Sequence, residues 1–360
     1  MAIYLFAFAY LCFFSIFELM RKEIKPRIAK ELAFVFIFFI LFYLAGFRYE
    51  LETDYYAYYR EFYDLNSRTM EFSFSLLVRI IKFFTNNYNV FLIVFSILSM
   101  GLKYRVFSKF HYCFSLLLIY YVRFFVQFDL NAIRQGLAIV FVFFALNSIK
   151  RNDIKTYCIY ILIATTIHVS AIILLILPLF RKVKLSWTKV IATICFAILF
   201  RLYLLDKIIV IFSRYLPAVF SSQNKLISGL QYVLNNSTEK SFDLLSYIRI
   251  ILPTICMFYL VKKTENELLF KSYLIGTFIN LLFYGMDTIS FRLAAYFFSA
   301  EILIMGNLYK TVIPKRISSG KVNLAKLASL GLIIFCDMWT FFSLLQTSET
   351  LVPFRNFITK

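Results

Sequence analysis

Long apolar runs fill most of the chain, and short charged segments separate them. The run LAFVFIFFILFYLAG, which ends at Gly46, is typical. With their flanks, such runs reach the roughly 18 residues that a helix needs to cross the core of a bilayer. Ten of them predict full spans, at about 2–20, 31–47, 88–105, 112–128, 131–149, 187–204, 243–261, 267–286, 290–309 and 326–345. We therefore expect an all-α, polytopic transmembrane helical bundle that forms one integral membrane domain over 1–360.

The apolar stretch 156–180 has a different pattern, because basic segments flank it on both sides. KRNDIK precedes it and RKVK follows it, and basic loops favour the cytoplasmic side of a membrane. Two ends on one side predict a re-entrant hairpin, in which two short half-helices meet near His168. One long span is the alternative.

Two segments are predicted to lie on the extracytoplasmic side. Residues 48–87 carry nearly balanced charge, and EFSFSLLVRIIKFF within them has the amphipathic pattern of a helix lying along the interface. Residues 205–242 form a long loop with an apolar stretch, IIVIFSRYLPAVF. The other loops are mostly basic, which predicts a cytoplasmic position for them.

The composition agrees with a membrane protein. The 360 residues are 61% hydrophobic and 16% charged, with a mean hydropathy of +0.76. The net charge of +19 is carried by short loops, which the positive-inside rule explains, so we expect membrane lipids rather than nucleic acid as partners. The six cysteines lie in or beside apolar runs without metal-ligand spacing. We therefore predict packing roles for them, and neither a metal nor a cofactor.

The stretch FRYELETDYYAYYREFYDL interrupts the apolar pattern after the second run. Four of its aromatic residues share one face of a predicted short helix: Tyr55, Tyr58, Tyr59 and Phe62. The tyrosines either form an aromatic belt, which is common at the membrane interface, or contact a ligand. Arg48 and Asp54 flank the bend, and a belt does not account for them.

Charged and amide residues also begin the fifth predicted span, in FDLNAIRQGLAI. Asn131, Arg134 and Gln135 lie on one helical face, about one turn inside the outer end. A guanidinium at this depth offers a planar set of donors to a phosphate. An arginine that snorkels to the headgroups gives the same pattern.

A similar face begins the ninth predicted span, in GMDTISFRLAAYFFSAE. Thr288, Arg292 and Tyr296 are spaced four apart, so they lie on one side of a helix. Asp287 is a candidate ion-pair partner of Arg292. A structural ion pair is the alternative to a role in binding.

His168, in ATTIHVSAIILL, is one of only two histidines. A histidine titrates near neutral pH and can accept a proton from a hydroxyl group. Ser170 is positioned to cap the second half-helix. A histidine hydrogen-bonded to a neighbouring helix is the alternative interpretation.

The predicted topology places Arg48, Arg134 and Arg292 near the same outer leaflet. Three arginines that converge there would form a cationic, partly desolvated pocket. An anionic headgroup such as a lipid diphosphate, with its tail in the membrane, is the expected ligand. Other charged residues inside the predicted spans are expected to form ion pairs or to line a cavity, among them Arg123, Arg201, Arg249, Glu301 and Asp337.

These residues resemble the motifs of the EpsG family. Arg48 with TDYYAYY is similar to its R…(G/T)DYxxY signature, and IRQGLA, IHVSAIILLILPL and Arg292 with Tyr296 follow in the family's order and spacing. The family comprises bacterial polysaccharide polymerases, similar in role to the Wzy polymerases of O-antigen and capsule. The resemblance implies a GT-C-like membrane glycosyltransferase in the bacterial inner membrane with its site facing the periplasm. Its implied substrates are a donor and an acceptor glycan linked to undecaprenyl diphosphate, with a chain-length regulator as a further partner.

A mechanism follows from combining the residues with that activity. Arg48, Arg134 and Arg292, with Gln135 beside them, would bind the diphosphate and stabilise its developing charge without a metal. His168 is the first choice as general base and Asp54 the second. Tyr55, Tyr58 and Tyr296 are candidates to stack on sugar rings. An O-antigen ligase-like transferase and a flippase or transporter of the lipid-linked repeat unit are the alternative functions.

Overall fold

In the computed structural model the chain is a bundle of helices. The structure describes residues 1–20, 27–51, 54–64, 71–205, 207–208, 243–262, 264, 266–312, 323–347 and 354–358. Fourteen α-helices lie in these ranges: α1 Ala2–Leu19, α2 Arg27–Gly46, α3 Tyr55–Tyr63, α4 Phe72–Phe84, α5 Tyr88–Phe107, α6 Cys113–Tyr120, α7 Ile133–Lys150, α8 Ile154–Ile167, α9 Trp187–Phe200, α10 Leu244–Val261, α11 Glu267–Leu282, α12 Asp287–Phe298, α13 Ala300–Val312 and α14 Leu324–Thr347. The same ranges contain no β-strand, so the predicted all-α class is confirmed.

Most of the predicted spans coincide with helices of membrane-crossing length. In the described ranges, eight segments are long and apolar enough to cross a bilayer: Ala2–Leu19, Arg27–Gly46, Tyr88–Phe107, Ile133–Lys150, Trp187–Leu205, Leu244–Val261, Ser290–Val312 and Leu324–Gln346. The predicted span at 112–128 falls on α6 and its π-helical continuation, Tyr121–Asp129. The span at 267–286 falls on α11, which has 16 residues and ends early at Leu282.

The hairpin, Ile154–Phe180, folds back on itself at His168. Its first arm, α8, ends at Ile167, and its second is the 3₁₀ helix Val169–Phe180. The phenol of Tyr157 donates to the carbonyl of Leu174, which requires the two arms to run side by side. At the open end, Arg181 donates to Oδ1 of Asn152 at 2.8 Å. The predicted hairpin therefore forms, and both of its ends lie at one end of the bundle.

The second arm of the hairpin buries every third residue. Ala171, Leu174 and Leu177 are fully buried, and a 3₁₀ helix has three residues per turn. One apolar stripe thus faces the bundle along the whole arm. This packing fixes the position of the hairpin tip, where His168 lies.

Two short helices, α3 and α4, form in the segment 48–87, and their position at the membrane interface stays a prediction. In α3 the side chains of Tyr55, Tyr58 and Phe62 are buried, as the shared face predicts, whereas Tyr59 is exposed. Helix α4 buries Phe74 and leaves Phe83 and Phe84 exposed, so it presents an apolar face outward as an interfacial helix does.

The C-terminal segment 354–358 lies beside the end of α2. The N–H of Tyr49 donates to the carbonyl of Arg355 at 2.9 Å, and that of Phe357 donates to the carbonyl of Phe47 at 3.2 Å. The segment and Arg48 are therefore at the same end of the bundle. The predicted loop 205–242 lies almost wholly outside the described residues.

Candidate active site

An ion pair between Arg134 and Glu71 lies at the end of the bundle that holds the hairpin tip. Nη1 of Arg134 donates to Oε2 of Glu71 at 2.7 Å, and a carboxylate oxygen of Glu61 lies 3.9 Å from the same nitrogen. Arg134 is the second residue of α7 and Glu71 directly precedes α4, so two helix N-termini bring them together. The guanidinium lies over the rings of Tyr58 and Phe74, 5.2 and 5.4 Å from their centroids. Cation–π contacts of this kind orient the group.

The second oxygen of Glu71 faces His168. Its Oε1 is 3.8 Å from Nδ1 of the imidazole, and it accepts from the N–H of Val169 at 3.4 Å. Nδ1 is also 3.0 Å from Oγ of Ser170, which is 3.2 Å from the phenol oxygen of Tyr296. Burial lowers the pKa of His168 from 6.5 to about 4, although the Glu71 carboxylate opposes this shift. The imidazole is therefore neutral at pH 7 and able to accept a proton.

Arg292 and Asp54 form the second ion pair of the same region. Nη2 of Arg292 donates to Oδ2 of Asp54 at 2.8 Å. The N–H of Asp54 donates to Oδ1 of Asn131 at 3.1 Å, and the amide of Gln135 donates to the carbonyl of Arg292. Asn131 and Gln135 thus tie this pair to the start of α7. The charges of Arg134, Arg292, Glu71 and Asp54 all act on His168, and we name these five residues the tip cluster.

Two of the sequence predictions for this helix face lie outside the described side chains. They are Thr288, on the face of Arg292, and Asp287, its candidate partner. Within the described part of the chain, Asp54 is the ion-pair partner of Arg292, a residue 238 positions away that spacing along one helix could not indicate.

The structure does not bring Arg48 to the tip cluster. Its side chain is 1% exposed and donates to the carbonyl of Ala45 at the end of α2. Burial lowers the pKa of Arg48 below its ordinary value, while Tyr88 and Tyr58 act in the opposite direction. Contacts within the tip cluster place Arg134 and Arg292, whereas Arg48 is held at the end of α2, so the convergence of all three arginines on one ligand stays a prediction. In this structure Arg134 and Arg292 are each paired with a carboxylate.

The three tyrosines predicted to stack on sugars are buried. Tyr55 and Tyr58 are 4% exposed and Tyr296 is fully buried. Tyr58 packs under the Arg134 guanidinium, and Tyr55 packs against Tyr88. Their rings orient the site rather than present a face to a ligand in this structure. The exposed rings of α3 belong to Tyr56, Tyr59 and Tyr63.

Sequence reasoning missed Glu71, which is the residue that joins the cluster. It lies directly before an amphipathic helix, where an acidic residue is unremarkable, because negative charge near a helix N-terminus is generally favourable. The one available signal was its position in the segment already predicted to lie beside Arg48 and Asp54. Ser170 was singled out as a cap, and its observed contact with Nδ1 of His168 is a different role.

The tip cluster combines three capabilities. Two guanidinium groups can donate to anionic oxygens, a neutral imidazole can accept a proton, and Glu71 contacts both functions. The cluster is partly open, since the side chains of Arg134, Glu71 and His168 are 17–20% exposed. No group of three or more potential metal ligands occurs in the described ranges; metal independence remains a prediction.

Comparison with known proteins identifies the family. The model of the EpsG family matches residues 31–356, nearly the whole chain, and spans every member of the tip cluster. Neither the curated proteins nor the solved structures include a match. The EpsG family is a Wzy-like polysaccharide polymerase family, which agrees with a multi-pass bundle carrying polar groups at one end. The resemblance stated from the motifs is confirmed, and the chain belongs to the EpsG family.

Proposed function

We propose that the protein is a membrane glycosyltransferase that polymerises oligosaccharide repeat units linked to undecaprenyl diphosphate. The family supports a polysaccharide polymerase-like function. The observation that carries the finer proposal is the contact of Glu71 with both Arg134 and His168. It joins a group able to bind phosphate oxygens to a group able to accept a proton.

The diphosphate of the donor binds by exchanging with the carboxylates that now hold the arginines. Arg134 and Arg292 each have further N–H donors, because a guanidinium carries five. Glu71 and Asp54 are partly exposed, so a carboxylate that is released can be hydrated. This matters because an unpaired charge is costly only where water is excluded.

The transfer step forms one bond, breaks another and transfers one proton. The acceptor hydroxyl oxygen attacks the anomeric carbon of the donor sugar, and the bond from that carbon to the diphosphate oxygen breaks. The electron pair leaves with the diphosphate, whose negative charge Arg134 and Arg292 stabilise. His168 accepts the hydroxyl proton, and Asp54 is the second candidate for this role. A direct attack of this kind inverts the anomeric centre.

The reaction is proposed to occur on the periplasmic side of the bacterial inner membrane. Support comes from the distribution of charge: the segments KRNDIK and RKVK flank the open end of the hairpin, opposite the tip, and basic loops favour the cytoplasm. The lipid tail then lies in the bilayer and the glycan extends outward. A chain-length regulator is the expected protein partner.

A deletion strain of the producing bacterium tests the function and separates its rivals. Loss of a polymerase leaves single repeat units attached to the final acceptor. Loss of a ligase leaves no repeat unit attached, and loss of a flippase leaves lipid-linked units on the cytoplasmic leaflet. Single-unit products that return to long chains on complementation support the proposal, and either other result contradicts it.

A further inference from the structure

A polar cavity of about 270 Å³ lies behind α12. Four helical elements besides α12 form its walls: the π-helix after α6, and α10, α11 and α14. Each of these four elements contributes at least one polar side chain to the lining: Gln127, Ser246, Arg249, Asn280 and Thr340. Such a lining indicates a ligand with many hydrogen-bonding groups. The volume of the cavity lies just below the usual range of small-molecule sites, so it suits one ring-sized group.

Helix α12 separates this cavity from the tip cluster. Phe291 and Phe298, seven residues apart, line the cavity, whereas Arg292 and Tyr296 contact Asp54 and Ser170 on the other side. A helix with its side chains is about 10–12 Å across. The cavity and the tip cluster therefore lie on different sides of α12.

The cavity wall offers both donors and acceptors. Oε1 of Gln127 is buried without a hydrogen-bond partner among the described residues. Thr340 donates its hydroxyl hydrogen to the carbonyl of Cys336, which leaves its oxygen able to accept. Arg249 has a partly exposed guanidinium that lies 5.4 Å from the ring centroid of Trp339. Sugar hydroxyls both donate and accept, so they match a mixed lining of this kind.

Arg123 in the same wall is not free to bind an anion. It pairs with Glu301 at 3.0 Å and with Asp337 at 2.5 Å. These two carboxylates are 0% and 3% exposed, so releasing them would leave buried, unpaired charges. A diphosphate cannot displace them as it can the hydrated carboxylates at the tip.

We propose that this cavity is a saccharide subsite that holds one ring of a glycan substrate while transfer takes place at the tip cluster. The inference rests on the proposed function. The inference extends that function by assigning a binding role to Gln127, Asn280 and Thr340, which lie on three different helical elements.

Binding of a lipid-free glycan to the purified full-length protein tests the proposal. The probe is the repeat-unit oligosaccharide, released from the lipid carrier of the producing strain by mild acid, labelled and measured by equilibrium dialysis. Asn280→Phe fills the cavity, and we expect the Kd to rise at least tenfold. Ile275→Phe adds bulk on the same helix toward a separate apolar cavity, and we expect its Kd to stay within twofold of the wild type.

A second pair of variants makes smaller changes, which are less prone to cause misfolding. Thr340→Val removes one hydroxyl from the cavity, and Thr193→Val removes a hydroxyl with the same backbone bond on α9. We expect a Kd about three- to fivefold higher for the first and unchanged for the second. Melting temperatures of all four variants near that of the wild type confirm that they fold.

Three results overturn the proposal. They are an absence of oligosaccharide binding to the wild type, binding that Asn280→Phe and Thr340→Val leave unchanged, and displacement of the oligosaccharide by inorganic diphosphate that depends on Asn280. Elongation of lipid-linked units is measured on the same wild-type sample. A protein that binds the oligosaccharide but fails to elongate contradicts the proposed function and leaves the subsite in place.

Discussion

Arg134 and Arg123 both lie near carboxylates, but their surroundings differ. Each is a helical arginine near two carboxylates, Glu71 and Glu61 for Arg134, and Glu301 and Asp337 for Arg123. The carboxylates of Arg134 are 13–17% exposed, whereas those of Arg123 are almost fully buried. Only Glu71 and Glu61 can separate from their arginine without leaving an unpaired charge in the protein interior.

The neighbours of the two arginines differ as well. Arg134 is linked through Glu71 to a neutral imidazole and a chain of hydroxyls. The Arg123 guanidinium lies 4.4 Å from the ring centroid of Phe298 and 5.7 Å from that of Tyr273. The comparison teaches that an intramembrane arginine indicates chemistry only when its partners are hydrated and a proton acceptor is in contact. We therefore assign Arg123 to the stability of the bundle and Arg134 to function.

Arg123→Met is expected to give the largest effect, a loss of about 3–5 kcal/mol in the free energy of unfolding, because it leaves two buried carboxylates without a cation. Denaturant titration of the purified protein measures it. The triple change Arg123→Met, Glu301→Met, Asp337→Leu replaces all three polar side chains with apolar ones and should recover most of the loss. A triple variant as unstable as the single one would refute the structural assignment.

Arg134→Gln is expected to lower polymerisation about 100-fold while the protein stays folded, because it removes a donor to the leaving diphosphate. Glycan length on the surface of a complemented deletion strain measures it. Arg79→Gln is the matched control, since Arg79 is exposed on the neighbouring α4. An equal loss of polymerisation in Arg134→Gln and Arg79→Gln would contradict a specific role for Arg134.

Ser170→Ala is expected to lower the turnover rate about tenfold, with a KM close to that of the wild type, because the hydroxyl orients His168 through Nδ1. A general base contributes about 10²–10⁴-fold when correctly placed, and a misoriented one loses part of this. Ser73→Ala breaks a nearby hydroxyl contact with Thr166 at 2.7 Å and serves as the control. Steady-state kinetics that show equal effects for the two variants would argue against the hydroxyl chain.

The pH dependence should be the smallest effect. Burial lowers the pKa of His168 from 6.5 to about 4, so the imidazole binds a proton only at a pH well below 6. The turnover rate should therefore change by less than about twofold between pH 8 and pH 6. A base at the ordinary value would lose about three quarters of its activity over the same range. Such a loss, absent from the residual activity of His168 variants, would place the histidine in a more hydrated site than described.

The helices could be predicted from the sequence because length and apolar content alone decide them. The hairpin was favoured over one long span, because basic segments on both sides of 156–180 tend to lie on the same side of a membrane. The faces of α3 and α7 followed from helical spacing, which is a local property.

The pairing within the candidate site could not be predicted in the same way. Arg292 pairs with Asp54, 238 residues away, and no local pattern encodes such a contact. The direction of the Arg48 side chain could not be predicted either, because a span ending in arginine gives no sign of which way the side chain turns; here it turns back to the carbonyl of Ala45. Glu71 was missed because its role depends on three elements that meet only in the folded bundle: α4, α7 and the hairpin.

Elongation by the purified protein tests the central claim most directly. Wild-type protein and Arg134→Gln, each reconstituted in lipid, are given the lipid-linked repeat unit of the producing strain, and the products are separated by size. The tip cluster predicts a ladder of longer glycans from the wild type and only starting material from the variant. A ladder of equal length from Arg134→Gln, or none from a folded wild type, would contradict the assignment of the tip cluster as the site of transfer.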